Sequence, residues 1–367
     1  MFDILNIGNK ARSLLVLQSN NFNVPTFVLI PGSYIPLLLS DDVLKQNLID
    51  KLIYQNIHEY SVRSSPEYSM PGMMETVLNN KGYDELFNVI RKVYDSYNST
   101  LAVLYRKRNN IPDTIPSVII QKMVYGTGDG YSGSGVAYSR NNFGIFDSVI
   151  EFKENHQGDV IVSNQVDIYD YDMVAADYAE QIKSDLHKLE HLYKCPVEIE
   201  FTIQDGVMYM LQCRELQFQD SIIKYKIYTD LVKKHIISVF DYDQLIGQLH
   251  FNSKQIKSGN IIYTGYPVSA GIVQYKYTEP NIYFSNKIDN SILDVIDKYE
   301  GIITNQGSLT SHISIVCRNM NIPYIILPDV DLNILSTYNF TMDGYSGSIY
   351  DSCDIITITK ENINQYV

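Results

Sequence analysis

Two α/β (α+β) domains joined by a helical connector are what the sequence predicts, on three observations. In the first half, short apolar runs suited to buried strands alternate with amphipathic helical stretches. Residues 221–249 change character, with few glycines and with lysines alternating among apolar positions, and read as the connector. From about residue 260 onward short strands, Gly-rich turns and one or two helices follow, a second and smaller α/β domain that ends near Tyr350. The length of 367 residues suits two or three domains. The predicted boundaries are 1–216, 217–255 and 256–367.

The elements follow in order. Residues 24–30 (VPTFVLI) read as a buried strand. Residues 41–60 read as a helix with Leu44, Leu48, Leu52 and Ile53 on one face, and residues 84–108 as another. Residues 118–124 are expected to be a strand, with two more near 148–152 and 160–163. Tyr178, Ile182, Leu186 and Leu189 line one side of a helix over 173–193. Residues 197–213 read as a hairpin around Asp205-Gly206.

Composition excludes several classes. The chain is 45% hydrophobic and 19% charged, so it can build real cores and is not a disordered tail. With a net charge of −13 and no basic block, nucleic acid is not expected as a partner. The apolar stretch 27–39 is interrupted by Pro31, Gly32, Ser33 and Pro36, so no membrane span is expected. The run 14–17 is too short for a signal-peptide core. Cys195, Cys213, Cys317 and Cys353 show no CxxC spacing and read as reduced thiols of a cytoplasmic protein.

Three segments carry candidate chemistry. In the hairpin, a three-residue loop (Asp205, Gly206, Val207) sets Glu200 opposite Gln212 and Glu198 opposite Arg214, whereas a two-residue loop sets Glu200 opposite Leu211. The first register gathers two carboxylates, an amide and a guanidinium, a set able to hold Mg²⁺ and phosphate oxygens. The same pattern also suits a solvated sheet face with a surface ion pair. The glycine-rich run GTGDGYSGSG at 126–135 can bring backbone N–H groups close to phosphate, or be a flexible turn. His312 stands just before the apolar helical run Ile313, Ile315 and Val316, with Thr310 or Ser311 as a natural N-cap. A helix dipole there favours a neutral, nucleophilic imidazole and then a phosphoryl group upon it. A solvent-facing histidine at a helix start fits equally. The other six histidines are read as making no pair with metal-ligand spacing.

Taken together, these segments resemble the pyruvate phosphate dikinase family and, more loosely, phosphoenolpyruvate synthase. The run 301–312 (GIITNQGSLTSH), followed by Arg318, looks like the family's phosphohistidine signature. Residues 61–64 (SVRS), 70–79 (MPGMMETVLN) and 132–140 (SGSGVAYSR) are similar to its ATP-domain loops. Residues 198–203 (EIEFTI) with 211–214 (LQCR) resemble its catalytic hairpin, and 265–271 and 343–347 the start and end of its histidine domain. The order is collinear over nearly the whole chain.

The resemblance implies an ATP-grasp-type nucleotide-binding domain followed by a swivelling α/β phosphohistidine domain. It assigns Lys10, Arg63, Glu198, Gly133, Gly135 and Gln121 to ATP binding. His312, Arg214, Glu200 and Gln212 become catalytic, Glu200 and Gln212 the Mg²⁺ ligands, and Thr310, Ser311 and Arg318 the support of the phosphohistidine. The implied activity moves the β-phosphoryl group of ATP to His312, releases AMP, and passes the group to an acceptor on a separate partner or to a small molecule. The alternative is a non-catalytic nucleotide-binding or regulatory protein that keeps the dikinase fold. Three positions depart from the family pattern. Glu198 replaces an Asp, Gly307-Ser308 replaces Gly-Gly, and Gly8-Asn9-Lys10 replaces Gly-Gly-Lys. Residues 79–84 are short where the family carries a helical insertion, and the large C-terminal barrel that binds pyruvate and phosphoenolpyruvate is expected to be missing.

Overall fold

A computed structural model describes residues 7–363 apart from 69, 71–72, 109, 142–147, 159–171, 219, 252, 289–291, 293–294, 308–311 and 360–361. In chain order the elements are α1 (Asn9–Ser19), β1 (Phe27–Ile30), α2 (Ile35–Ser40), α3 (Asp42–Tyr54), β2 (Glu59–Ser65), β3 (Thr76–Lys81), α4 (Leu86–Asp95), α5 (Thr100–Arg108) and β4 (Ser117–Lys122). They continue through β5 (Gly133–Tyr138), β6 (Val149–Glu154), α6 (Ala176–Tyr193), β7 (Val197–Gln204), β8 (Val207–Glu215), α7 (Ser221–Lys233), α8 (Val239–Gly247), β9 (Ser253–Thr264) and β10 (Tyr266–Ser269). The last are β11 (Ile272–Tyr275), β12 (Ile282–Lys287), β13 (Gly301–Gln306), α9 (His312–Met320), β14 (Tyr324–Ile326), α10 (Leu332–Leu335), β15 (Phe340–Asp343) and β16 (Ser348–Ile358). The mixed α/β class expected from the sequence is what is found.

Chain contacts define two units, 1–133 with 199–214, and 134–198 with 215–367. The first is built on an antiparallel sheet of order β1-β4-β2-β3. Side chains alternate across a sheet. Val28, Ile30, Tyr60, Val62, Val118 and Ile120 therefore face one way, into a core with Leu38, Leu52, Leu86, Ile90 and Val93 from α2, α3 and α4. Leu29 and Ile119 face the other way, against Ala11 and Leu14 of α1. Arg63 and Gln121 share that second face by the same alternation.

Several sequence expectations are corrected here. The helix read over 41–60 stops at Tyr54, where Asn56 adopts a positive φ of 56°, and the next residues form the central strand β2. Asn tolerates that left-handed conformation better than most residues. The helix read over 84–108 is two α-helices separated by a 3₁₀ turn at Ser96–Asn98. There the Ser96 hydroxyl donates to the Val93 carbonyl and accepts from the Glu75 amide, competing with the helical ladder. The strand expected at 160–163 lies outside the described residues.

Two four-stranded sheets dominate the second unit. One has the order β10-β14-β13-β12, with β12, β13 and β14 parallel, and the other, β11-β15-β16-β9, is antiparallel. Ile303, Ile325, Phe340, Met342 and Ile349 fill one core, and Ile302, Ile313, Cys317, Tyr324 and Ile326 the other. The segment expected to connect the domains is helical, forming α7 and α8, and lies within the second unit. Asp220 caps α7, its Oδ1 accepting from the Ile222 and Ile223 amides. Its Oδ2 accepts from the Tyr345 and Ser253 hydroxyls.

Candidate functional site

Gly8 begins the site. Its φ is +78°, and a Cβ there would overlap the Ser65 carbonyl. Glycine is thus required where the chain enters α1. The Ser65 hydroxyl donates to the Ile7 carbonyl at 2.9 Å and accepts from the Ala11 amide at 3.0 Å, which pins the first turn of α1 to the end of β2. Lys10, in that turn, is fixed beside the face that carries Arg63.

Arg63 is the centre of the cluster. Its Nη1 donates to Gln121 Oε1 and to the Leu211 carbonyl, both at 3.2 Å, and its Nη2 donates to Gln212 Oε1 at 3.2 Å. A longer ion pair of 3.5 Å reaches Glu200 Oε2. The planar guanidinium serves four acceptors at once, one more than a lysine ammonium has N–H groups. The hairpin that brings these acceptors is moored to the same unit. Ser13 Oγ accepts from the Cys213 amide, Asn23 Nδ2 donates to the Met208 carbonyl, and Gln204 Oε1 accepts from the Tyr125 amide.

The structure corrects the three-residue loop. β7 ends at Gln204 and β8 starts at Val207, leaving a two-residue turn. Asp205 and Gly206 have φ of 49° and 81°, the paired positive values of a type I′ hairpin. Arg63 reaches both Glu200 and Gln212.

The electrostatics are those of a site short of negative charge. The Lys10 ammonium is pulled down to about 8 by desolvation first, then by Arg63, with Glu200 opposing and Arg214 adding to the fall. Of the charges acting on Lys10, Arg63 and Arg214 are cations and Glu200 is a carboxylate. The Gln121 amide nitrogen is buried with no hydrogen-bond partner, so a donor stays open where its Oε1 already serves Arg63. Each of these features suits an incoming polyanion. Among the described residues no group of three or more His, Cys, Asp or Glu could hold a metal unaided. Glu200 and Gln212 offer hard oxygen donors, the set Mg²⁺ takes when substrate phosphates complete its shell.

Placement of the remaining candidates is as follows. Glu198 is buried on β7, two residues from Glu200, and Arg214 is half-buried on β8. Gly133 and Gly135 lie buried within β5, past the exposed loop they were grouped with. His312 is the first residue of α9, the helix between the parallel strands β13 and β14. Its side chain, and Ser308, Thr310 and Ser311, lie outside the described residues. Gly307 is required locally, since a Cβ there would stand 2.6 Å from the Tyr324 hydroxyl. Arg318, in the last turn of α9, donates to the Val268 carbonyl at 3.4 Å. His187 and His191 are one turn apart on α6 with ring centroids at 4.7 Å, so the sequence does hold one histidine pair at chelating spacing, at an exposed surface. Sequence reasoning missed Ser65 and Asp205 as site-building residues; the Ser-Pro step after Arg63 and the Asp-Gly step were their only local signals.

The family model described as pyruvate phosphate dikinase, AMP/ATP-binding domain, matches residues 29–177 and 147–235, more than half of the chain. The model described as PEP-utilising enzyme, mobile domain, matches 277–347. The chain belongs to the pyruvate phosphate dikinase family, with the mixed α/β class expected for it. Pyruvate, phosphate dikinase of Rickettsia prowazekii (strain Madrid E) is 29% identical over 74% of this chain and 36% of its own length. The Clostridium symbiosum protein of that name is 28% identical over 65% and 30%. The chain therefore spans about a third of the length of the curated relatives it matches. Among solved structures, D-alanine-D-alanine ligase from Helicobacter pylori aligns with a TM-score of 0.34 at 12% identity, covering 67% of this chain and 62% of that one. Among the described residues no helix is long and apolar enough to cross a membrane.

Proposed function

We propose that the chain is an ATP-dependent phosphotransferase that carries the ATP β-phosphoryl group on His312. The observation that carries this reading is the Arg63 centre, where Arg63 meets Gln121, Gln212 and Glu200, the Lys10 ammonium feels Arg63 and Arg214, and the Gln121 amide nitrogen is buried without a partner. Residues 1–216 would bind the nucleotide, with Lys10, Arg63 and Arg214 on phosphate oxygens. Mg²⁺ bound to the phosphates would neutralise charge there, held by Glu200 and Gln212. A neutral His312 imidazole nitrogen attacks the β-phosphorus, the bond from that phosphorus to the oxygen of the α-phosphate breaks, and AMP leaves. The γ-phosphoryl group then departs to phosphate, as pyrophosphate, or to water. Catalysis is positioning and charge neutralisation around the transferring group.

The test uses ATP labelled at the β-phosphate with Mg²⁺. Acid-labile, base-stable label is expected on the wild-type protein and none on His312→Ala. Wild-type protein that binds ATP and stays unlabelled would overturn the reading in favour of a nucleotide-binding regulator.

A further inference from the structure

We propose that Asp205, at the tip of the β7–β8 hairpin, is a positioning residue that clasps the glycine-rich loop into the shape the nucleotide phosphates require. This rests on the nucleotide reading above. The clasp has three points. Asp205 Oδ1 accepts from the Gly130 amide at 3.1 Å, the Asp205 amide donates to Ser132 Oγ at 2.9 Å, and the Gly206 amide donates to the Tyr131 carbonyl at 2.9 Å. All of these residues belong to the first unit.

Two of the loop's glycines are explained by this contact. A Cβ at Gly128 would stand 2.5 Å from Asp205 Oδ1, and one at Gly130 would stand 3.0 Å from the Asp205 Cα. The backbone there is glycine because the hairpin tip occupies the space a side chain would fill. A Gly-rich segment left alone is conformationally broad and loses much entropy on ordering. Holding it beforehand removes that cost from ligand binding. The hairpin whose body supplies Glu200, Gln212 and the Leu211 carbonyl to Arg63 thus also holds the loop at its tip.

The conformation of Asp205 dictates the variants. Its φ of 49° suits Gly and Asn. Asp205→Gly removes the acceptor without backbone strain, and Asp205→Asn restores an Oδ1 acceptor without the charge. Hydrogen exchange should show the Gly130 amide protected in wild type and Asp205→Asn and about tenfold less protected in Asp205→Gly, the factor of one hydrogen bond. Titration with Mg-ATP should give a Kd roughly five- to tenfold weaker for Asp205→Gly and near wild type for Asp205→Asn. Thermal unfolding of all three proteins checks that the fold is kept. If wild type binds Mg-ATP and Asp205→Gly binds it equally well, the positioning role is overturned while the nucleotide reading stands. Tighter binding by Asp205→Gly would show the carboxylate competing with phosphate, and also overturns it. Wild type that binds no Mg-ATP overturns the nucleotide reading and this role with it.

Discussion

Lys10 keeps its proton with difficulty, and the direction of that difficulty is a measurable property of the site. Its ammonium sits near 8 instead of 10.5 because desolvation and the charges of Arg63 and Arg214 outweigh the pull of Glu200. The unfolded chain binds more protons than the folded one between about pH 8 and 10.5, so Lys10 alone makes stability rise with pH across that window. Nucleotide phosphates reverse the balance by favouring the charged ammonium. Mg-ATP affinity is therefore expected to fall as pH rises through about 8, by about tenfold between about pH 7 and 9. Arginine stays charged, so Lys10→Arg should flatten the profile. Calorimetry in buffers of different ionisation enthalpy checks it, through proton uptake on binding by wild type alone. A flat wild-type profile would remove Lys10 from the phosphate site. At this scale residue types were legible in the sequence and their arrangement was not. Arg63 and Gln212 were named, yet nothing in the order of residues says that one guanidinium serves four acceptors, since these come from positions 58 to 149 residues away.

Elements hold these residues through contacts with little sequence signature. Arg140 closes the run 132–140, which resembles a nucleotide loop, but its own side chain is wholly buried in an ion network. Its Nε and Nη2 donate to the two Glu190 oxygens at 2.7 and 2.9 Å, and its Nη1 lies 2.8 Å from Asp230 Oδ2. The Ser139 hydroxyl also donates to Glu190 at 3.0 Å. The residue beyond β5 is thereby tied to α6 and to the connector helix α7. Removing one member of a buried pair strands the other, so Arg140→Met should lower stability by about 3–5 kcal/mol in denaturant unfolding. Arg140→Met with Glu190→Met should recover most of that loss. Equal losses in the single and double variants would mean that packing, not charge pairing, sets the cost. Element types were legible where periodicity was strong, as in α6 and the hairpin. They failed where one polar residue ended an element. Asn56 cut a helix before the central strand β2, and Ser96 split another. A local φ or a single side-chain bond overrides a hydrophobic pattern without disturbing it.

At the scale of the whole molecule the question is where the phosphoryl group goes. The matched nucleotide-binding and mobile domains cover residues 29–235 and 277–347. On the proposed function each would serve an earlier step, binding ATP or carrying the group, and an acceptor pocket needs a concave wall of its own. One histidine would then meet ATP and afterwards the acceptor, so the histidine domain would have to move. In the second unit the connector is fastened through Asp220 to Tyr345 and Ser253 and through Asp230 to Arg140. Movement must break one of these contacts or bend the chain beyond them. We propose that the acceptor site lies on a partner polypeptide and in neither matched domain, since on the proposed function each of these already has a step. Phosphorylated protein, isolated and then mixed with small metabolites, should keep its label. Addition of a cell protein fraction with the same metabolites should discharge it, and fractionation should follow the discharging activity to one polypeptide. Discharge by metabolites alone would place the acceptor pocket in this chain and overturn the separate-partner reading.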